Sequence, residues 1–255
     1  MYLVIDIGNT NVKFGLYEDR ELIASWRTYS SLQKTSDEYG IELTSFLRHV
    51  DCTPDMVEGV MISSVKVSIN YTFEHMCSIY FNVVPVFVSH ELDTGIKILY
   101  DNPKVLGADR IVNAVAAYEL YGGPCITIDF GTATTFGCIS RNGEFIGGAI
   151  CPGVRVSSDA MTETADLLPS IEFVKPPSII NTNTISAMQS GIIYGSAGQV
   201  DYILKNMLEE MNCNDAYIIA TGGLSKVIGE ESKYIKTINS LLTLEGLSIV
   251  YLRNQ

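Results

Sequence analysis

The first half of the chain alternates short apolar runs with segments in which apolar residues recur every three or four positions. The short runs, bounded by turn residues, predict strands at Leu3–Ile7, Val12–Tyr17, Glu21–Arg27, Val57–Val65 and Val83–Val88. The helical spacing predicts helices over Ser36–Val50, Ile69–Phe81 and Arg110–Tyr121. Strands that alternate with helices in this way predict an α/β fold, a mixed sheet with helical crossovers.

The second half repeats this beginning. Three strands are predicted again at Cys125–Asp129, Thr134–Ser140 and Glu144–Ala149, followed by a loop at Pro152-Gly153, a long helix Thr184–Glu210 and a strand that starts at Tyr217 and runs into Gly222-Gly223. The repeat predicts two related domains, 1–115 and 116–255, with the last helix packing back on the first domain. Each domain would offer a carboxylate and a tight turn to one central cleft.

Composition narrows the function. With 17 basic and 29 acidic residues the net charge is −12, which argues against nucleic acids and anionic membranes as partners. The N-terminal residues lack a basic and then apolar leader, and no apolar run approaches the ~20 residues of a membrane span, so we expect a cytoplasmic protein. Six scattered cysteines without a Cys-x-x-Cys pair predict free thiols, mostly in the core. The three histidines lack the spacing of a zinc site.

The candidate chemistry lies where the first strand of each half ends. Asp6-Ile7-Gly8-Asn9-Thr10-Asn11 and Asp129-Phe130-Gly131-Thr132-Ala133-Thr134 share a carboxylate, one spacer and a glycine. No Walker P-loop exists in the chain, so a phosphate would meet backbone N–H groups at these turns. Asp6 would then hold Mg²⁺, directly or through water, and Lys13 would supply a positive charge. The alternatives are an ordinary Asx turn at Asp6 and β-branched strand residues near Thr132.

Three further motifs have a structural interpretation, and two of them also have a functional one. Asp109, in Gly107-Ala108-Asp109-Arg110, is either a helix N-cap or a reactive carboxylate, and Arg110 is either solvated or the partner of an anionic substrate. Thr182-Asn183-Thr184 fits an N-cap for the following helix. Thr221-Gly222-Gly223 is either a simple turn or a flat surface for adenine and ribose.

Taken in order, these motifs resemble the type III pantothenate kinases. The resemblance also includes Asn102-Pro103, Gly147-Gly148-Ala149-Ile150, Ala187-Met188-Gln189-Ser190-Gly191 and the segment Leu242–Leu247, so it spans nearly the whole chain. That family belongs to the superfamily of acetate and sugar kinases, chaperone ATPases and actin. The resemblance implies two ribonuclease-H-like domains, each a mixed sheet that starts with a three-strand antiparallel meander and is flanked by helices.

The resemblance also implies the reaction: phosphorylation of the primary hydroxyl of pantothenate by Mg-ATP, the first step of coenzyme A biosynthesis. Asp109 would be the general base, and Asp129 would hold a monovalent cation, K⁺ or NH₄⁺. The implied ATP contacts are Asp6, Ile7, Gly8, Asn9, Thr10, Asn11, Val12, Lys13 and Thr132. The implied pantothenate contacts are Tyr100, Gly107, Ala108, Asp109, Arg110 and Thr184. The family implies a homodimer in which Thr184 reaches a substrate bound by the partner chain.

Three other functions compete. One is another small-molecule kinase of the same superfamily, such as a sugar kinase; the short chain and the missing Cys/His zinc cluster argue against the repressor-like sugar kinases. A protein of the same fold that senses a nucleotide without catalysis would not need Asp6 and Asp109, and both are present. A ribonuclease-H-like nuclease would need clustered carboxylates and a basic face, which the net charge does not favour.

Overall fold

The structure is a computed structural model that describes residues 1–255. It comprises two compact units. The first contains residues 1–96, 101–116 and 243–255, and the second contains residues 97–100 and 117–242. None of the helices combines the length and the apolar character that a membrane span requires.

The first unit is built on a five-stranded sheet in the order β3-β2-β1-β4-β5. Its strands are β1 (Tyr2–Ile7), β2 (Asn11–Glu18), β3 (Glu21–Tyr29), β4 (Gly59–Ser64) and β5 (Val86–Phe87). The first three strands form an antiparallel meander, whereas β4 pairs parallel to β1 and β5 parallel to β4. All six residues of β1 are buried, as expected for a strand covered on both faces, whereas β3 at the edge is nowhere fully buried.

Helices α1 (Ser36–Arg48) and α2 (Asn70–Phe81) cover one face of this sheet, and their apolar side chains join those of β1 and β2 in one core cluster. The Tyr39 and Phe73 rings lie 4.6 Å apart within that core. A capping box begins α1, in which the Thr35 hydroxyl accepts from the Glu38 N–H and the Glu38 carboxylate accepts from the Thr35 N–H. The hydrogen bonds that the Glu38 carboxylate accepts from the Thr35 N–H and from the Thr35 hydroxyl lower the pKa of Glu38, because they stabilise its ionised form.

Two more helices belong in part to the first unit. Helix α3 (Ala108–Tyr121) contributes residues 108–116, and α7 (Leu242–Arg253) contributes residues 243–253. The Tyr251 ring of α7 stacks on Tyr2 of β1 with the centroids 4.1 Å apart. The chain therefore completes its first unit with its last helix.

The second unit is built on a seven-stranded sheet whose main path is β12-β11-β7-β8-β9-β6, with β10 paired to β8. Its strands are β6 (Lys97–Ile98), β7 (Cys125–Phe130), β8 (Ala133–Ile139), β9 (Glu144–Gly147), β10 (Ile150–Pro152), β11 (Tyr217–Thr221) and β12 (Thr237–Ile238). Strands β7, β8 and β9 repeat the antiparallel meander, and β11 pairs parallel to β7 as β4 does to β1. The predicted fold class is confirmed in both units.

The helices of the second unit are α4 (Val154–Thr164), α5 (Thr184–Glu210) and α6 (Ser225–Gly229). Helix α5 has the predicted bounds, and its Ile193, Val200 and Leu204 share a core cluster with Ile126 of β7 and Phe136 of β8. All six cysteines of the chain are free, four of them buried, as expected. Burial raises the pKa of the Cys125 thiol to about 12, which suits a packing role.

The structure differs from the sequence prediction in several places, and three of these differences have a local physical reason. Only Val86–Phe87 of the predicted strand 83–88 pairs with β4, since Pro85 has no N–H to donate. The predicted third strand of the second meander, Glu144–Ala149, ends at Gly147, whose φ is +137°, and the separate strand β10 (Ile150–Pro152) was not predicted. Helix α4 follows Pro152-Gly153, where only a loop was expected. The sequence did not predict this helix because its many Ser, Thr and Val residues are weak helix formers.

The fit of α7 depends on Gly246. A Cβ atom built on Gly246 would lie 2.0 Å from the carbonyl oxygen of Val112 in α3. We expect Gly246→Ala to lower the free energy of unfolding by about 1–3 kcal/mol, the usual cost of forcing extra volume into a packed contact. Urea unfolding followed by circular dichroism measures this.

Gly198→Ala is the matched control, because Gly198 lies on the exposed face of α5 with nothing within 4 Å of a built Cβ. That variant is expected to gain about 0.5–1 kcal/mol from the higher helix propensity of alanine. Equal midpoints for Gly246→Ala and the wild type would contradict the close approach of α7 to α3.

Candidate functional site

The turn between β1 and β2 is closed by its glycine. The N–H of Gly8 donates to the carbonyl of Asn11 at 3.0 Å, and a Cβ on Gly8 would lie 3.0 Å from that same oxygen. Asn9 and Thr10 are exposed at the tip. Ile7 is part of the buried core, so its side chain belongs to folding and only its backbone can meet a ligand. Val12, on the other side of the turn, is likewise a core residue, so only its backbone can meet a ligand.

Asp6 is placed by its two neighbouring strands. In register it lies opposite Lys13 of β2 and Ser63 of β4, and its residue is 8 % exposed. The Lys13 ammonium is 3.8 Å from the Asp6 carboxylate, so these two charges partly compensate each other. A carboxylate with a small exposed edge at a strand end fits the binding of a hydrated Mg²⁺, which takes one or two protein carboxylates.

The start of α3 lies at the same end of the first sheet. The N–H of Val65, directly after β4, donates to the carbonyl of Ile7 at 3.1 Å. A Cβ on Gly107 would lie 3.7 Å from Val65 Cγ1, which places the residues before α3 beside this loop. The Asp6 turn and the Asp109 segment are over 90 residues apart in sequence, and both lie at the same end of the sheet of the first unit.

Asp109 lies inside the first turn of α3, because the helix begins at Ala108. The N-cap interpretation of Asp109 is therefore wrong. Its Oδ1 accepts from the Arg110 N–H at 2.8 Å, and a Cβ on Gly107 would lie 2.5 Å from this oxygen. A glycine at 107 therefore provides the space in which the Asp109 carboxylate lies. Asp109 itself is partly exposed.

Arg110 is not the solvated residue that one alternative described. It is 8 % exposed, and arginine is rarely buried to this extent unless its charge is paired. Tyr100, another candidate for substrate contact, belongs to the second unit. Its ring is half-buried and packs 6.2 Å from the Phe145 ring of β9.

The turn between β7 and β8 in the second unit repeats the Gly8 turn with one residue fewer. The N–H of Gly131 donates to the carbonyl of Ala133 at 3.1 Å, and only Gly131 and Thr132 separate the two strands. Thr132 is exposed, whereas Thr134 is 2 % exposed within β8. Thr134 is thus a strand residue, and Thr132 is the hydroxyl that can reach a ligand.

Two glycines pack tightly against this second turn. A Cβ on Gly222, which follows β11 with φ +94°, would lie 2.5 Å from Asp129 Oδ1. A Cβ on Gly153 would lie 2.2 Å from the Thr132 carbonyl oxygen. The Thr221-Gly222-Gly223 turn therefore lies against the Asp129 carboxylate, and Asp129 is opposite Thr221 in the parallel register.

Thr184 begins α5 and is exposed. The preceding Asn183 is the N-cap, with its side-chain oxygen accepting from the Ser186 N–H at 2.9 Å. The capping function is thus carried by Asn183, and the Thr184 hydroxyl is not needed for it. No group of three or more His, Cys, Asp or Glu side chains is arranged to hold a metal ion.

The family model of type III pantothenate kinase matches residues 2–206 of the chain. The chain belongs to the type III pantothenate kinase family. As a member it is a phosphotransferase, a kinase that uses ATP, and the resemblance noted in the sequence is confirmed.

Solved structures agree in fold across the whole chain. A Campylobacter jejuni protein described as a Baf family transcriptional activator is 17 % identical, with a TM-score of 0.59 over 99 % of this chain and 98 % of that one. The activator of 2-hydroxyisocaproyl-CoA dehydratase from Clostridium difficile, solved with bound ADPNP, is 12 % identical, with a TM-score of 0.58 over 99 % and 93 %. An Arthrobacter polyphosphate/ATP-glucomannokinase is 12 % identical, with a TM-score of 0.51 over 98 % of each chain. At these identities the likeness concerns the fold alone.

One polar residue of the kinase that no motif indicated lies at the first turn. The Lys66 ammonium donates to the Asn9 carbonyl at 3.2 Å and to the Ser30 carbonyl at 2.9 Å. Its only sequence signal was a lysine shortly after a buried strand, which by itself does not distinguish a surface charge from a site residue.

The tight packing of Gly222 against Asp129 leads to a prediction. Gly222→Ala would place a methyl group 2.5 Å from the carboxylate and force a non-glycine residue into positive φ. We expect the variant to lose about 2–4 kcal/mol of unfolding free energy, from strain and overpacking together. The neighbouring Gly223→Ala is the control, because a Cβ there has nothing within 4 Å. Equal urea midpoints for the two variants would contradict the described turn.

Proposed function

We propose that this kinase transfers the γ-phosphoryl group of ATP to the primary hydroxyl of pantothenate, forming 4'-phosphopantothenate, with Asp109 as general base. The observation that supports this assignment most directly is the position of the Asp109 carboxylate. It is partly exposed at the start of α3, in space that only a glycine at 107 leaves free. The Gly8 turn, where phosphates would bind, lies at the same end of this sheet.

A carboxylate is sufficient for this chemistry. Aspartate side chains are ordinarily ionised at neutral pH, so Asp109 can accept the hydroxyl proton as the new P–O bond forms and the bond to ADP breaks. The transition state of phosphoryl transfer is loose, which means that full deprotonation of the alcohol beforehand is not required. Most of the acceleration would come from positioning and from charge neutralisation.

We assign the ATP contacts to the segment Asp6–Lys13 and to Thr132. Because Ile7 and Val12 are core residues, their contribution is through backbone groups. Mg²⁺ bound with the nucleotide would neutralise part of the phosphate charge, and Asp6 would hold it through water. Asp129 would hold the monovalent cation. Its carboxylate is half-buried and lies against the turn at Gly222.

We assign the pantothenate contacts to Tyr100, to Gly107–Arg110 and to Thr184. Pantothenate carries a carboxylate, and the buried guanidinium of Arg110 is a suitable group for it, since arginine binds carboxylates with paired hydrogen bonds. The kinase would act as a homodimer in which Thr184 reaches the substrate bound by the partner chain. The exposed Thr184 at the start of α5 is compatible with that contact.

The test is ADP release by the purified chain with ATP, Mg²⁺ and K⁺, with and without pantothenate. We expect release that depends on pantothenate, and we expect Asp109→Asn to lower turnover by at least ~10², as for a lost general base. Asp55→Asn is the control, because Asp55 is an exposed carboxylate of the same unit. Turnover of Asp109→Asn within a few-fold of the wild type would refute the assignment of the base.

The cation assignment gives a separate prediction. Activity in K⁺ is expected to exceed activity in the same concentration of tetramethylammonium, which is too large to enter a carboxylate site. Asp129→Asn should remove most of this difference, because the anionic ligand of the cation is lost. Initial rates at constant ionic strength measure it. A K⁺ response in Asp129→Asn as large as in the wild type would rule out Asp129 as the ligand.

A second function is favoured by one observation, the description of the Campylobacter jejuni structure as a transcriptional activator. In that case the chain would bind nucleotide as a regulatory signal without transferring phosphate. The same assay separates the two: bound ATP with no ADP release, with or without pantothenate, would support the regulatory function. Phosphorylation of glucose in place of pantothenate would instead indicate a sugar kinase.

A further inference from the structure

Lys66 joins the first turn to the residue that follows β3. It follows β4, and its ammonium reaches the carbonyls of Asn9 at the turn and of Ser30 just after β3. Ser30 is itself bound to the turn, because its N–H donates to the Thr10 carbonyl at 3.0 Å. The charge of Lys66 is therefore held within hydrogen-bond distance of the tip of the turn.

The charge of Lys66 is not compensated by a carboxylate. An ammonium group has three N–H donors, and only two of those on Lys66 have acceptors, both neutral carbonyls. Lys66 takes part in none of the salt bridges of the chain. Lys13, the other lysine at this turn, is paired with Asp6. Lys66 thus supplies the uncompensated positive charge of the turn.

A half-buried ammonium with a remaining donor attracts an anion. Fixing a lysine side chain costs conformational entropy. Hydrogen bonds to neutral carbonyls offset this cost less than a hydrogen bond to a charged acceptor does. A merely structural link between Asn9 and Ser30 would need a donor but no charge. Position and charge together therefore point to an anionic ligand at the tip of the turn.

We propose that Lys66 is a phosphate-binding residue of this kinase, donating its third N–H to a phosphate oxygen of the nucleotide held at the Gly8 turn. The proposal rests on the proposed function, because it assigns the phosphates to that turn. It adds a cation that the sequence motifs did not include, and it makes Lys66 rather than Lys13 the main positive side chain for the triphosphate.

The test measures binding without catalysis. Dissociation constants for ATP and for inorganic tripolyphosphate are determined by calorimetry for the wild type, Lys66→Gln and Lys66→Arg. We expect Lys66→Gln to weaken both ligands by about tenfold or more, the effect of one lost hydrogen bond to a charged group. Lys66→Arg, which keeps the charge, should recover most of that loss, and adenosine binding should change less than about twofold.

Arg20→Gln is the matched control for charge. Arg20 is exposed at the turn between β2 and β3, at the opposite end of β2 from Gly8, and its loss removes the same unit charge from the same unit of the protein. It should leave both dissociation constants within about twofold, since ionic screening limits charges at that distance. Equal weakening by Arg20→Gln would assign the effect to net charge and would overturn the role of Lys66.

Hydrogen exchange separates a phosphate contact from a link that only shapes the turn. With no ligand present, the Gly8 amide should exchange equally slowly in the wild type and in Lys66→Gln. Faster exchange in the variant together with weaker binding would make Lys66 a positioning residue, which overturns direct contact. Unchanged affinity of Lys66→Gln would overturn the proposal as well.

Failure of the proposed function gives a different result. If the wild type bound ATP but released no ADP with pantothenate, the kinase assignment would fail, and the effect of Lys66→Gln on ATP and tripolyphosphate would still decide the role of Lys66. If the wild type bound neither ligand, the assignment of phosphates to the Gly8 turn would fail and Lys66 would fail with it.

Discussion

The parallel pairing of β1 with β4 is the constraint on which the first half of the candidate site depends. β1 is buried along its whole length, and a slip of its register by one residue would carry the Asp6 side chain to the other face of the sheet. The register of β1 thereby fixes the positions of Asp6 and of the Gly8 turn at the end of the strand. The hydrogen bond from Val65 to Ile7 holds the loop after β4 at the same end, and Gly107 packs against that loop.

Close packing explains why glycines recur beside the candidate carboxylates. Gly107 leaves room for Asp109, and Gly222 leaves room for Asp129; in each case a single Cβ atom would lie 2.5 Å from a carboxylate oxygen. Gly153 similarly admits the Thr132 carbonyl. These glycines act by their missing side chain, and only Gly222 among the three also needs a positive φ. Gly222 and Gly153 lie far from Asp129 and Thr132 in sequence, whereas Gly107 lies only two positions before Asp109.

Much of the fold could be predicted from the sequence, because periodicity and turn residues are local signals. Both meanders and the bounds of α5 follow from them, and the family motifs indicate the carboxylates. Tertiary packing decides the rest. A single proline reduces β5 to Val86–Phe87, and α4 forms from residues with weak helix propensity. No local signal tells that Asp109 lies within the helix, that Arg110 is buried, or that Lys66 reaches a turn 57 positions earlier.

The overall charge makes the local cations decisive for a nucleotide ligand. A chain of net charge −12 repels a polyphosphate at long range, but that repulsion is screened over about 8–10 Å in physiological salt. Affinity must therefore come from groups at the turn itself. Lys13 shares its charge with Asp6, so its net contribution is small while Asp6 is ionised. Binding of Mg²⁺ near Asp6 would release Lys13 from this pairing and strengthen its attraction for phosphate. In its proposed role Lys66 would need no such release, because its ammonium contacts only neutral carbonyls.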